Sequence, residues 1–330
     1  MTDMTTEPYE WLSAHLADKM THVDHEIALR FKSQAAPRID AIGAHLISAG
    51  GKRLRPLLTI AAAQSLGYQG QSDVLLATAV EYIHTATLLH DDVIDESDQR
   101  RGRPTANRLW DNTSSVLVGD YLFSRAFQLM VETQNLQVLD ILSAASCTIS
   151  EGEVLQMTAA RDLATDEAIY YRVIRGKTAA LFSAATQAGA VLATSDPTAQ
   201  QALFDFGDAL GISFQVVDDL LDVTGDSAKT GKNIGDDFRE RKLTLPMIKA
   251  IAANPDARPF WQRTIEKGEQ TEGDLEYALS QMTTTGAIAE ARRDAQDWAD
   301  RAKEALVPLP DTPIKLALGH LADFVVARVV

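Results

Sequence analysis

The chain has 330 residues, 45% of them apolar and 23% charged, the balance of a globular protein with a sizeable buried core. Its 31 Lys and Arg against 46 Asp and Glu give a net charge of −15. That excludes a surface built to wrap nucleic acid and a polybasic membrane anchor, so any phosphate chemistry must rest on local basic clusters. The single cysteine, Cys147, excludes an internal disulfide. Its run ILSAASCTIS reads as a buried apolar segment carrying a core thiol. The opening MTDMTTEPYEWL lacks the basic-then-apolar pattern of a secretory signal, and no apolar run is long enough for a transmembrane segment. A cytoplasmic protein is expected, with residues 1–10 disordered.

From there helical spacing dominates. Apolar residues recur every three or four positions over 11–32, 36–49, 55–66, 72–95, 114–132, 136–160, 166–173, 177–194, 198–222, 242–252, 274–283, 286–306 and 312–329. Breaks fall at Gly50-Gly51, Gly67 to Gly70, Arg101 to Pro104, Gly176, Asp196-Pro197 and Thr224 to Gly235. No β-branched alternation and no hairpin dipeptide appears, and no break has the composition of an interdomain linker. The pattern predicts an all-α fold, a single domain over 1–330 built as one large antiparallel helical bundle.

Two helices, over 74–90 and 202–217, are apolar nearly all round and so belong in the interior. Each runs into an acidic cluster: Asp91, Asp92 and Asp95 after the first, Asp218, Asp219 and Asp222 after the second. The outer two of each cluster are four apart and share a helix face, with Cβ atoms roughly 6 Å apart. Like charges there repel, and the helix dipole disfavours anions at a C-terminal end by about 0.3–1 kcal/mol each. Such clusters need cations. Hard oxygen donors without Cys suit Mg²⁺ or Mn²⁺, and Mg²⁺ is usually shared between one or two carboxylates and substrate phosphates. Two facing clusters would share a diphosphate through several ions.

Basic residues follow the same order. GGKRLRP supplies Lys52 and Arg55; Arg100 and Arg101 follow the first cluster; RGKT opens a helix at Lys177 and Thr178, whose N-terminal amides favour phosphate; GKNIGDD places Lys232 after the second cluster. Arg53, Arg103, Arg175, Arg239 and Arg241 read as solvated charges. His84 lies seven residues before Asp91, on nearly its face. Gln215 lies three and seven before Asp218 and Asp222, a polar amide in need of a partner.

GGKRLRP, LLHDDVIDESDQRRGRPTAN, GKTAALF, FQVVDDLLD and GKNIGDDF, in this order, resemble the motifs of trans-type prenyl diphosphate synthases. The resemblance implies the isoprenoid synthase fold, a helical bundle around a central cavity, and a homodimer. It implies that Lys52, Arg55, His84 and Arg101 hold the diphosphate of isopentenyl diphosphate. Asp91, Asp92, Asp95, Asp218, Asp219 and Asp222 would bind two or three Mg²⁺, with Mn²⁺ as a substitute. Arg100, Lys177, Thr178, Gln215 and Lys232 would contact the allylic diphosphate, farnesyl or geranylgeranyl. Ionisation of the allylic C–O bond, attack by the alkene and loss of a proton would follow, the released diphosphate serving as base.

The growing tail would run along the helix before Asp91, past Thr87, Ala86 and Ile83. Neither Thr87 nor Ala86 is aromatic, so a long-chain product is expected, octaprenyl to decaprenyl, for a quinone side chain; a short-chain farnesyl or geranylgeranyl diphosphate synthase is the alternative. A class I terpene cyclase would not need Lys52, Arg55 and Arg101. A di-iron bundle would need a second ExxH besides Glu81 to His84, and a non-catalytic subunit would be free to lose its acids. Transient membrane contact during product release is expected from the product's apolarity.

Overall fold

The computed structural model describes residues 3–48, 50–100, 102–225 and 234–329. Its helices are α1 Pro8–His15, α2 Ala17–Arg30, α3 Pro37–Ser48, α4 Leu54–Ser65, α5 Ser72–Ile94, α6 Ala106–Leu109, α7 Asn112–Glu132, α8 Leu136–Ala159, α9 Glu167–Ile174, α10 Ala180–Ala193 and α11 Pro197–Thr224. Short α12 Asp236–Arg239, then α13 Leu245–Ala253, α14 Arg258–Trp261, α15 Asp274–Thr284, α16 Ala287–Ala305 and α17 Pro313–Ala327 complete the series. A two-stranded antiparallel ribbon, β1 Gln99–Arg100 and β2 Arg103–Pro104, pairs Arg100 with Arg103. Nothing in the sequence announced it.

Contacts divide the chain into two compact units. The first is Met1–Ser146, Ala184–Phe204 and Pro308–Ala317; the second is Cys147–Ser183, Asp205–Val307 and Leu318–Val330. The divisions at 146, 183, 204 and 317 fall inside α8, α10, α11 and α17, where no linker exists.

In the first unit α5 is the central helix, packed by α7, α4 and α2. Leu76, Ala77, Ala79, Val80, Ile83 and Ala86 are fully buried or nearly so, which its all-round apolar sequence required. Its first turn is anchored through Asp73, fully buried, which receives Lys19 Nζ at 2.8 Å and Gln64 Nε2 at 3.2 Å. Residues 3–10 correct the expectation of disorder. A turn at Asp3–Glu7 leads into α1, and the Tyr9 hydroxyl donates to the Lys52 carbonyl.

The second unit packs Phe238, Met247, Trp261, Ile265 and Met282 into one core between α12, α13 and α15. Helix α16 presents Ala287, Ala291, Ala295, Ala299 and Ala302 as a buried row, and Ser213 donates to the Ala295 carbonyl at 2.9 Å. Alanines at that spacing let a helix with many charged residues approach closely on one face.

Cys147 is exposed, not a core thiol. The buried row of α8 is Val138, Leu142, Ala145, Ile149 and Gly152; Asp140, Ala144, Cys147, Glu151 and Val154 form the outward row. The local run is apolar on both rows, so hydropathy did not distinguish them.

Candidate active site

The first aspartate cluster closes α5 as expected. Asp91 and Asp92 lie in its last turn and Asp95 is its C-cap. Asp91 is half-buried and Asp95 exposed, while Asp92 is only 3% exposed. The helix turns Asp92 away from the other two, onto the ribbon. Arg100 Nε and Nη2 both reach Asp92 Oδ1, at 2.9 and 2.8 Å, and Asn107 Nδ2 donates to the Asp92 carbonyl at 3.2 Å. Burial raises the Asp92 carboxyl above its ordinary range, against the pull of Arg100. Arg100, expected at a diphosphate, is thus placed on a carboxylate of its own chain.

Two helix turns earlier, His84 meets Arg55 from the start of α4, with Arg55 Nη1 donating to His84 Nε2 at 3.2 Å. Burial lowers the Arg55 guanidinium to about 10, partly offset by Glu81. It stays charged at neutral pH, a desolvated cation suited to an anion. Arg53 is not the solvated charge its loop suggested: it pairs with Glu81 at 2.7 Å and Asp24 at 3.3 Å. Its backbone, at the N-cap of α4, sits in the left-handed region at φ +48°. Lys52 is exposed, its ammonium 5.9 Å from the Tyr9 ring centre. A pocket in this unit is lined by Arg53, Glu81, His84, Asp92, Arg100 and Arg103 among others. Ile83 and Ala86 are buried and Thr87 half-buried, its hydroxyl donating to the His84 carbonyl at 2.8 Å.

The second unit gathers more acid than the motif predicted. Asp218 and Asp222 are half-buried near the end of α11, and Asp219 is 5% exposed. Asp222 accepts the backbone N–H of Asp236 at 3.1 Å and of Asp237 at 3.3 Å, bringing both acids of the GDD sequence to the cluster. The Gly-Asp-Asp run was visible in the sequence; that it folds back onto Asp222 was not. Tyr170, unmarked by any sequence signal, donates its hydroxyl to Asp219 Oδ2 at 2.6 Å. Gln215 Nε2 donates to Asp219 Oδ1 at 2.9 Å, and Gln215 Oε1 accepts the Thr178 hydroxyl at 2.8 Å. The Gln215 amide therefore finds its partners within the protein, and reaches Asp219 rather than Asp218 or Asp222.

Burial pushes the Asp219 carboxyl up to about 7; Asp218 and Asp222 push the same way, against the hydrogen bonds from Tyr170 and Gln215. Asp237 is raised well above its ordinary value, by burial and then by Asp219 and Asp222. Carboxylates held so close and so dry call for positive charge.

Lys177 does not open a helix, as the glycine before it suggested. Residues Arg175–Ala179 form a π-helical turn that joins α9 to α10 without a break, Ala180 N–H reaching back to the Arg175 carbonyl. The backbone amides there serve the helix rather than an anion. Gly176 permits the turn to touch α8: a Cβ on it would lie 2.9 Å from Gly152 Cα. Lys177 Nζ bonds Glu153 at 2.9 Å. Arg175 pairs with Asp208 at 3.0 Å and Arg239 with Asp236 at 2.8 Å. Arg101 and Lys232 lie outside the described residues.

Among the described residues no three acids or histidines converge into a ready-made metal cage. The donor set still fits magnesium, which takes one or two carboxylates and completes its octahedron with phosphate and water.

A sequence profile of polyprenyl synthetases matches residues 36–282. The chain belongs to the polyprenyl synthetase family. It is 45% identical over 291 residues to an octaprenyl diphosphate synthase of Escherichia coli (strain K12), covering 88% of this chain and 90% of that one. The crystal structure of a decaprenyl diphosphate synthase from Rhodobacter capsulatus matches with a TM-score of 0.94 at 60% identity, over 98% of this chain and 99% of that chain. A polyprenyl synthase from Caulobacter crescentus CB15, complexed with calcium and isoprenyl diphosphate, matches at 0.93 with 48% identity, over 98% of each chain. The all-α polyprenyl synthase fold of these relatives is the fold of this chain. Among the described residues no helix is long and apolar enough to cross a membrane.

Proposed function

We propose that this polyprenyl synthetase condenses isopentenyl diphosphate with farnesyl or geranylgeranyl diphosphate and repeats the step to an all-trans octaprenyl-to-decaprenyl diphosphate for a quinone side chain. The observation that carries the reading is the pair of aspartate clusters, each ending a buried helix, in a chain of this family. The long-chain assignment is supported by relatives named octaprenyl and decaprenyl diphosphate synthases and by Ala86, a small buried residue five positions before Asp91.

In this reading Lys52, Arg55, His84 and Arg101 hold the diphosphate of isopentenyl diphosphate. Asp91 and Asp95 in the first unit, and Asp218 and Asp222 in the second, bind Mg²⁺, two or three ions in all, for which Mn²⁺ substitutes. Bound magnesium supplies the charge neutralisation that lets the allylic C–O bond ionise. Lys177 and Lys232 stabilise the charge left on the departing diphosphate. Arg100 and Asp92 fix each other, and Gln215 and Thr178 fix Asp219. Ile83, Ala86 and Thr87 guide the growing tail, and the apolar wall keeps water from the cation. The relative bound to calcium and isoprenyl diphosphate supports a site for a divalent ion beside a prenyl diphosphate.

The test is product analysis with labelled isopentenyl diphosphate, farnesyl diphosphate and Mg²⁺: polyprenyl diphosphates of octaprenyl to decaprenyl length are expected, and no hydrocarbon from farnesyl diphosphate alone. Ala86→Phe should shorten the products sharply, with about 1–3 kcal/mol of overpacking strain as its side effect. An unchanged length distribution rejects this tunnel wall.

The protein acts as a homodimer. Support comes from α7, which exposes Val116, Leu117, Phe127 and Val131, and from α8, which exposes Leu136, Val154 and Met157. So many apolar side chains on two helices suit a protein interface. Val131→Glu should shift the sedimentation of the chain toward monomer; an unshifted dimer assigns the interface elsewhere. The chain works in the cytoplasm and touches a membrane only to release its apolar product.

A further inference from the structure

Tyr170 lies in α9, is 4% exposed, and is held edge-on by the Tyr171 ring at 5.4 Å. Its hydroxyl begins a line of three hydrogen bonds through the second unit. Tyr170 donates to Asp219, Gln215 donates to the other oxygen of the same carboxylate, and Thr178 donates to the Gln215 carbonyl oxygen, at 2.6, 2.9 and 2.8 Å. With Asp219 ionised, each donor meets an acceptor, and the line has one arrangement of its side-chain protons. The Thr178 proton is committed to Gln215, which leaves that hydroxyl able only to accept from any third group. The line ends in the π-helical turn, one residue after Lys177. Asp219, with a protein donor on each oxygen, is the joint between the Lys177 turn and the outward pair Asp218 and Asp222. Neutral donors to a buried carboxylate are charge-assisted and short, and they fix its plane.

We propose that Tyr170 is a positioning residue for the condensation: its buried hydroxyl fixes Asp219, and through Gln215 and Thr178 it holds the Lys177 turn in register with Asp218 and Asp222. The proposal rests on the reading that this cluster binds metal ions for the allylic diphosphate. A phenylalanine would fill the same space and leave one oxygen of Asp219 without its donor, so the carboxylate would be free to turn and the register would loosen.

In the full-length chain, Tyr170→Phe is expected to raise the Mn²⁺ concentration for half-saturation about tenfold, measured by electron paramagnetic resonance with inorganic pyrophosphate present. The Mg²⁺ requirement of the condensation and KM for farnesyl diphosphate should rise with it, while KM for isopentenyl diphosphate stays within about twofold. Tyr82→Phe is the control. Tyr82 is equally buried, in the first unit, and donates to the Ile27 carbonyl at 2.8 Å, so its loss tests stability without touching the line. Mn²⁺ half-saturation unchanged by Tyr170→Phe, or raised as much by Tyr82→Phe, overturns the proposal, as does a wild-type chain that binds no Mn²⁺ with pyrophosphate. A wild-type chain that binds Mn²⁺ but makes no polyprenyl diphosphate overturns the functional reading instead, and the binding comparison still decides Tyr170.

Discussion

In the first aspartate cluster the buried middle carboxylate, Asp92, meets a guanidinium, Arg100. In the second, Asp219 meets two neutral donors, Tyr170 and Gln215, and Asp237, its own carboxyl raised by burial, brings a further acid nearby. The motif spacing is the same, DDxxD in both, yet the middle carboxylate of one is held by a guanidinium and that of the other by two neutral donors. Burial raises both middle carboxyls, Asp219 as far as about 7. The contrast teaches that spacing marks a place for cations, while the neighbours decide how much positive charge must come from outside. Under the proposed function the second cluster is the one expected to depend more on a divalent ion.

The comparison breaks first at the outward acids. Asp91→Ala and Asp218→Ala are each expected to lower kcat on the order of 10²–10³-fold, since under the proposed function each removes a group that binds positive charge at the departing diphosphate. Steady-state condensation with labelled isopentenyl diphosphate measures it. A loss under about tenfold in only one of them would show that the two clusters do not share the task.

Next comes pH. Asp219 in the folded chain titrates at about 7, above its unfolded value near 3.8. The folded state therefore binds more protons than the unfolded state between about pH 4 and 7. Stability of the chain in EDTA should fall as pH rises through that window, on the order of a few kcal/mol, and level off above it. Asp237 acts in the same direction. Urea midpoints at about pH 5 and 8 report the slope, and Asp219→Asn should flatten it. A midpoint that rises with pH would contradict the raised carboxyls of this buried cluster.

Smaller effects sharpen the difference in partners. Arg100→Ala leaves Asp92 buried without its counter-ion and should cost about 1–3 kcal/mol, less than a fully buried pair because Arg100 keeps 39% of its side chain in solvent. Asp92→Asn in the same chain should recover most of that loss. Gln215→Ala removes a neutral donor and should cost about 1 kcal/mol. Equal costs in chemical denaturation would erase the distinction between a charged and a neutral partner.

Much of the fold was legible. Helices over 36–49, 72–95, 136–160 and 274–283 stand within a residue or two of the periods that predicted them, because long apolar periodicity dominates local propensity. The ribbon at Arg100 and Arg103 and the short α12 carry too few residues to show a period. Cys147 misled because the run ILSAASCTIS carries no charge on either row, and the outward row's acids, Asp140 and Glu151, lie just outside it. Gly176 misled because a glycine reads as a break, whereas here it lets a continuous π turn approach Gly152.

The sequence by itself determined where most of the long helices run, that two of them are interior, and that six aspartates close those two. Those facts depend on spacing along one chain, which a helix converts directly into a face. Only the tertiary structure decided which aspartate of each three turns inward, that Arg100 and Tyr170 receive them, that Lys177 rests on Glu153, and that Asp236 and Asp237 join the second cluster. Asp219 and Tyr170 are separated by 49 residues. Periodicity assigns a side chain to a face of its own helix, but the partner on that face comes from whichever distant element packs there.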